Sequence, residues 1–500
     1  MAGGSDTWGL PRASRSLRDS RYACCLAALF TLVAVVPRYA AAQGGNSARE
    51  FWFAPPDVTD LHNPLGGEPL YLSIAAGDRD ADIVIELPAN GAFSPLTGTV
   101  AAHTSVRVNV SVFKGQLESR PTNTIVNSGL HILASQPVVV AYEVANANNA
   151  EQWNLRGSDD LGTGFVVPLP RHAPFANDGS YAAPHQAYAS FDIVATQPNT
   201  LVRLFSPVAV DGHPPLQQWS VTLNRGQVYS AGYTGTNWFA PATHPGGAVV
   251  LADKPVAISI KDDSVANPSG PCRDLIGEQL VPAAAVGREY IVPKGGLNAS
   301  GDESLVIYAT QNDTALFLDG AATPSTVLFA GEYHRIDLDY LAASIDNALY
   351  LRADKPVYAV HVSGLGCEMG MALLPPLESA GSYHADFVRA DTQSFSLLIV
   401  VPTAALAAFE LRDAAGNALP LDTTAFRAVP GTGGAWQSGR VSYDAATLAP
   451  QTVHRLRNSA ARFIAAALSG SDTTAARYGY LTAYIATELP LFADGFEVVP

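Results

Sequence analysis

Asp78, Asp80 and Asp82 have the alternate spacing with which a calcium loop begins to offer carboxylate oxygens. The pattern stops there, because the sixth position is Ile83 where the sharp turn needs Gly, and the twelfth is Ala89 where a bidentate Glu belongs. The stretch reads as a solvated turn. His172 and His185 flank a polar loop with Asn177 and Asp178, a set that has donor atoms for a metal. His361 stands inside a strand-like run, where a hydrogen-bonded structural histidine is the ordinary occupant. No HExxH, paired CxxC, P-loop or GxSxG is present. No catalytic residue, metal or cofactor is therefore assigned.

A glycosidase pair needs only two acids about 5–9 Å apart in space, with no fixed spacing in sequence. Asp262, Asp263 and Glu278 are candidates by type, but they fall in segments that read as connections, where carboxylates solvate loops and cap backbone groups. Trp153, Trp219, Trp238 and Trp436 lie in or beside Gly- and Asn-rich stretches. Loop aromatics on a rigid β scaffold are common contacts for protein and carbohydrate, so these four are the candidate ligand-contact residues. The competing role for each is a plug over the local core.

The elements that would carry such loops are repeated. Ile132 to Val140, Val250 to Ile258 and Leu351 to Ala359 share a small residue, two polar residues, Pro137, Pro255 or Pro356, and then a β-branched or apolar run. A worn copy lies at Leu456 to Ala465, with Arg462 in place of Pro. Ala195 to Thr200 is answered by Ala309 to Thr314, Leu223 to Gly226 by Leu328 to Gly331, and a Gly-to-Pro closing motif recurs at Gly164 to Pro168, Gly277 to Pro282 and Gly370 to Pro375. Several landmarks in one order argue for duplication. Ser105 to Val112 alternates strictly, and Val256, Ile258 and Ile260 alternate with Ala257, Ser259 and Lys261, the pattern of strands with one buried face. In the Ala-Asp-Lys-Pro-Val element, Asp-Lys reads as a turn and Pro, lacking an N–H, opens the strand that follows.

An all-β fold follows, with β-sandwich or jelly-roll-like units of about 100 residues in tandem. The alternative is a β-propeller-like toroid, although four-stranded blades usually take about 40–50 residues. The expected units are 43–168, 169–282, 283–375 and 376–490. Residues 1–42 read as a signal peptide: Arg12, Arg15, Arg18 and Arg21 precede an apolar run from Tyr22 to Val36, and Ala40-Ala41-Ala42 offers a cleavage site. An uncleaved anchor is the competing reading, but that run is short for a span, and no membrane span is expected after cleavage.

The formal net charge of −15 becomes more negative once that Arg-rich signal is removed, and Lys and Arg form no cluster. Nucleic acid and peripheral attachment to anionic lipid are disfavoured on that ground, and no nucleic-acid partner is expected. Of four cysteines, Cys24 and Cys25 leave with the signal. Cys272 and Cys367 remain, and an even count in an exported chain reads as one disulfide.

Ala252 to Val256, Asp262 to Ser264, Asp274 to Pro282 and Ser363 to Pro376 together make the region from 51 to 490 resemble the N-terminal region of IgGFc-binding protein. The resemblance implies an extracellular, mucin-associated binding or adhesion region without catalysis. Leu491 to Glu497 is similar to a short tail seen on secreted bacterial proteins. The expected function is a secreted or cell-surface protein that recognises an extracellular protein or glycan. A secreted polysaccharide hydrolase using loop carboxylates, and a structural surface component without a specific ligand, are the alternatives.

Overall fold

The computed structural model describes residues 47–58, 69–146, 149–170, 187–234, 244–266, 272–297, 303–338, 348–473 and 475–484. The signal segment, His172, Asn177, Asp178, His185, Trp238 and the 491–500 tail lie outside the described residues.

The described chain is all-β. Its first group of strands is β1 (Ala48–Phe53), β2 (Leu70–Ala76), β3 (Ala81–Glu86), β4 (Leu96–Val100), β5 (Ser105–Asn109), β6 (Ile125–Val126), β7 (Leu130–Val144) and β8 (Glu151–Asn154). The second is β9 (Gly162–Val166), β10 (Ala189–Ala195), β11 (Thr200–Phe205), β12 (Gln218–Leu223), β13 (Val228–Gly232), β14 (Val249–Ala266) and β15 (Arg273–Gln279). The third is β16 (Gly287–Pro293), β17 (Gly296–Leu297), β18 (Ser304–Ala309), β19 (Thr314–Leu318), β20 (Thr326–Leu328), β21 (Tyr333–Asp337), β22 (Ala348–Gly366) and β23 (Glu368–Leu373). The fourth is β24 (His384–Val388), β25 (Ser394–Pro402), β26 (Phe409–Arg412), β27 (Ala418–Leu419), β28 (Phe426–Ala428), β29 (Trp436–Tyr443), β30 (Val453–Asn458), β31 (Ile464–Ser471) and β32 (Ala475–Tyr480).

One strand order recurs. It is β4-β3-β7-β2-β5 in the first group, β12-β11-β14-β10-β13 in the second and β20-β19-β22-β18-β21 in the third. In the fourth, β27-β26-β30 and β31-β25-β29 form the same order with the long strand cut in two between Asn458 and Ile464. That break contains Arg462, where the other copies carry Pro.

The long strands explain the repeated Pro motif. Residues 249–252 of β14 pair with β11, whereas residues 256–262 pair with β10, so one strand serves two layers and changes partner at Asp253-Lys254-Pro255. Corners of this kind are built by bends in strands that switch sheets, and Pro fits where the ladder is broken. The expected turn is therefore a bend within a continuous strand. Its polar side chains fasten the neighbouring hairpin instead. Asp253 accepts the Leu201 N–H at 2.8 Å, and Lys254 Nζ donates to the carbonyls of Pro198 and Asn199. Asp354 accepts the Ala315 N–H at 2.8 Å and Lys355 donates to the Asn312 carbonyl. Ser135 does the same work in β7, accepting the Asp82 N–H. The hairpins so held turn through left-handed Asn199 and Asp313, residue types that tolerate positive φ.

After each long strand the chain doubles back, giving β8, β15, β23 and β32. These four pack on one another in a closed cycle. Glu151 of β8 accepts the Gly277 N–H of β15, and Glu278 of β15 accepts the Leu373 N–H of β23. Gly370 of β23 abuts Tyr478 of β32, and Asn154 of β8 donates to the Tyr480 carbonyl of β32. The sandwich-like groups thus surround a common centre rather than standing in a row. Two glycines of the closing motif, Gly277 and Gly370, belong here, and a Cβ on Gly277 would fall 2.2 Å from the Trp153 ring, whereas Gly164 lies in β9 against β14.

The first group is less filled than the second. Gly98 pairs with Ile83 as Val221 pairs with Val202, and Leu96 occupies the place of Trp219. What remains is an apolar cavity of about 210 Å³ lined by Ile74, Ile83, Ile85, Leu96, Val106 and Val108 among others. A Cβ on Gly98 would meet no atom within 4 Å. Gly98→Val is expected to raise stability by about 0.5–1 kcal/mol, through lost unfolded-state freedom and strand preference. A urea midpoint that is unchanged or lower refutes this.

Candidate functional site

The acids considered for hydrolysis sit in strands, not connections, and they are buried. Asp262 and Asp263 lie near the end of β14 and are inaccessible, and Glu278, in β15, is 4% exposed. The expected single buried face of β14 is corrected too, since Ala257, Ser259 and Lys261 are buried as well as Val256, Ile258 and Ile260. The cover comes from the first group: the Ala54 carbonyl accepts from Ser259 Oγ, and the Trp52 carbonyl accepts from Gln279 Nε2 at 2.7 Å.

Buried charge demands a partner, and each acid has one. Lys261 Nζ is 2.5 Å from Asp263 and 3.3 Å from the centre of the Tyr188 ring. The Tyr188 hydroxyl donates to Asp57, and Ser190 donates to Asp192. His244 Nε2 lies 2.9 Å from Asp262. Around the centre, Arg156 Nη2 lies 3.5 Å from Glu278, and burial pushes the carboxyls of Glu151 and Asp274 well up. His361 accepts its expected structural role: Nε2 meets Glu303 and Nδ1 meets the Tyr478 hydroxyl, each at 2.9 Å. These networks fix the strands to one another and leave their carboxylates out of reach of a polymeric substrate.

They also set a pH dependence. Burial pushes Asp192 and Asp263 up to about 7 from an ordinary 3.8. Between those values the folded chain binds protons that the unfolded chain has lost, so stability rises as pH falls from about 7 and is lower above it. Each carboxyl contributes about 2 kcal/mol between pH ~7 and ~5.5. His384 and His454, held below their ordinary value by burial, oppose this below about 6.5. The expected result is a higher melting temperature at pH ~5.5 than at ~8, with a smaller difference in Asp192→Asn. A melting temperature that falls on acidification to pH ~5.5 defeats it.

Three of the aromatics assigned to ligand contact, Trp153, Trp219 and Trp436, lie among the described residues. Trp153 is fully buried, donates to the Ile260 carbonyl at 3.2 Å and packs near Phe53 and Tyr142. It is a core residue, because β8 is enclosed by the central cycle. Trp219 is half-buried, stacked on His213 and hydrogen-bonded to the Tyr229 hydroxyl at 3.1 Å. Trp436 is half-buried against the core of the third and fourth groups. These three do not come together. The Cys272 and Cys367 sulfurs are joined, with Cα atoms 5.9 Å apart, linking the start of β15 to the β22–β23 turn.

Accessible charge gathers elsewhere, where the fourth group meets the first. Arg455 of β30 binds Asp386 through Nε at 2.5 Å and Nη2 at 2.8 Å, and reaches Asp78 through Nη1 at 2.8 Å. The Arg455 hydrogen bond lowers the Asp78 carboxyl below its ordinary value. A Thr104–Thr452 bridge and a hydrogen bond from Ser105 Oγ to the Gln451 carbonyl hold the same seam. Beside them opens a cavity of about 370 Å³ lined by Arg49, Arg79, Gln136, His384 and Ser47 as well as these ionic residues. Asp78 is in a turn, as its sequence suggests, but nothing in its neighbours signals Arg455, 377 positions away. The sequence offers no cue to the other cleft residues either.

The profile of the family described as IgGFc binding protein matches residues 153–468. No curated protein matches significantly. A solved structure described as a tetra-tandem repeat in the extending region of a large adhesion protein aligns over 83% of this chain and 93% of that chain, with 9% identity and a TM-score of 0.09. A score that low carries no argument about fold. The family match spans more than half of the chain, from Trp153 in the central cycle to Leu468 in the last long strand, and the chain belongs to the IgGFc binding protein family.

Proposed function

We propose that this protein is exported and works as a binding or adhesion protein, a rigid β scaffold that presents its seam cleft and outer turns to an extracellular protein or glycan. The observation that carries the reading is the division of charge. The three carboxylates considered for hydrolysis, Asp262, Asp263 and Glu278, are buried in structural networks, whereas the accessible Arg49, Asp78 and Arg79 line an open cleft. Family membership supports an extracellular protein partner, and the basic-then-apolar segment 1–42 supports export. Loops and clefts on a scaffold of this rigidity suit recognition.

The test exposes the purified secreted chain to an array of glycans, mucins and immunoglobulin Fc, alongside a polysaccharide hydrolysis assay. Saturable binding without turnover is expected. Turnover that disappears on changing one Asp or Glu establishes the hydrolase instead, and neither binding nor turnover leaves a structural component.

A further inference from the structure

The seam cleft carries cationic groups that the fold does not use. Arg455 is committed to Asp386 and Asp78, so its charge is neutralised in place. Arg49 and Arg79 are different. Both are exposed, both line the cavity, and neither forms an ion pair among the described residues. Arg49 makes only a long contact of 3.4 Å to Gln136 Oε1. In a chain with a formal charge of −15, two uncommitted guanidinium groups at one cavity mouth form a local reversal of sign.

We propose that this cleft binds an anionic sugar, with Arg49 and Arg79 receiving its carboxylate or sulfate oxygens. The planar fork of Arg matches either group with two parallel hydrogen bonds. Ser47, Gln136 and His384 add neutral donors and acceptors for hydroxyls. The cavity, about 370 Å³, lies at the lower end of the range for small-molecule sites, roughly 300–1,000 Å³. Among the described residues its apolar lining is limited to Ala75, Pro137 and Val139, and none of these is the aromatic anchor around which a protein hot spot is built. The placement at the junction of the first and last groups also makes the site depend on the closed arrangement, because Asp386 and Arg455 come from one side and Arg49 and Arg79 from the other.

The inference rests on the binding reading above and deepens it. Titrations of the full secreted chain would use three immobilised probes: sialyllactose, sulfated lactose and neutral lactose. The two acidic arms separate carboxylate from sulfate as the preferred group. Binding of at least one acidic probe over its neutral partner is expected, weakening with salt as an exposed charge contact should. Arg49→Ala/Arg79→Ala together should lower that affinity at least about tenfold, the equivalent of one lost charge-assisted contact. Both side chains are exposed, so the fold is expected to survive, and an unchanged melting temperature checks it. Arg412→Ala, at an exposed pair with Glu410 outside the cleft, should leave binding intact. Equal binding of acidic and neutral probes, or binding indifferent to Arg49 and Arg79, overturns the inference while the broader binding role stands. If no probe binds but a protein on the array does, the sugar is wrong and the binding role is right. If nothing binds, both fall.

Discussion

Arg156→Met is expected to lower the stability of the fold by about 3–5 kcal/mol, the usual effect of removing one partner from a buried ion pair. Arg156 is 1% exposed, its Nη2 faces Glu278 at 3.5 Å, and its guanidinium lies 4.3 Å from the centre of the Tyr484 ring. Met keeps most of the volume and removes the charge. Glu278 is then left at the centre with only backbone donors, Gln279 N–H and Leu373 N–H, to offset its burial. Its carboxyl, already raised by burial despite Arg156, moves further up, so the variant should recover more on acidification than the parent. Adding Glu278→Gln removes the stranded charge and should restore part of the loss, a coupling that a double-mutant cycle measures. If urea midpoints place Arg156→Met within about 1 kcal/mol of the parent, the central network is not what holds these strands.

The contrast between Glu278 and the Ala-Asp-Lys-Pro motif shows which features were legible in the sequence. The motif is local. Its recurrence reveals the repeat, and its composition marks a break in strand pairing even though a bend stands where a turn was expected. Asp262 and Asp263 look like loop residues because the alternation of Val256, Ile258 and Ile260 with Ala257, Ser259 and Lys261 signals one solvated face and ends in two acids, whereas the fold covers both faces, and Glu278 is enclosed in the same way. Their cover is supplied by Trp52 and Ala54, more than 200 positions earlier. The same logic hides the burial of Trp153. Trp153 follows a run of Asn and Ala that reads as a loop, yet its strand, β8, is pressed between β15 and β32 at the centre. Gly277, with a Cβ position blocked by that indole, is the complementary half of the signal, but two residues 124 apart disclose their contact only once folded. The cleft was the least legible of all. Its ionic core joins Asp78, Asp386 and Arg455, whose proximity depends on closing the cycle of groups and not on any local pattern.

Cys272→Ala combined with Cys367→Ala should cost about 4–5 kcal/mol in the chain-entropy picture, close to the effect of Arg156→Met but with a different origin. The two residues are 95 positions apart, and the bond restricts the unfolded chain by closing a loop that spans the whole third long strand. Cys272 precedes β15 and Cys367 lies between β22 and β23, so the link ties two neighbouring members of the central cycle at the same end. Asp274 and Glu368 stand beside it, with both carboxyls raised, chiefly by burial. Loss of the bond frees that end of β15 and β23 to separate and lets water reach the acids. The raised carboxyls would then return toward their ordinary values. The double variant should therefore show a lower urea midpoint and a weaker rise in stability on acidification. An effect confined to the unfolded state lowers the midpoint alone, leaving the pH profile parallel to that of the parent. Intact mass of the native chain under non-reducing conditions comes first, because two free thiols there would remove the basis for either outcome.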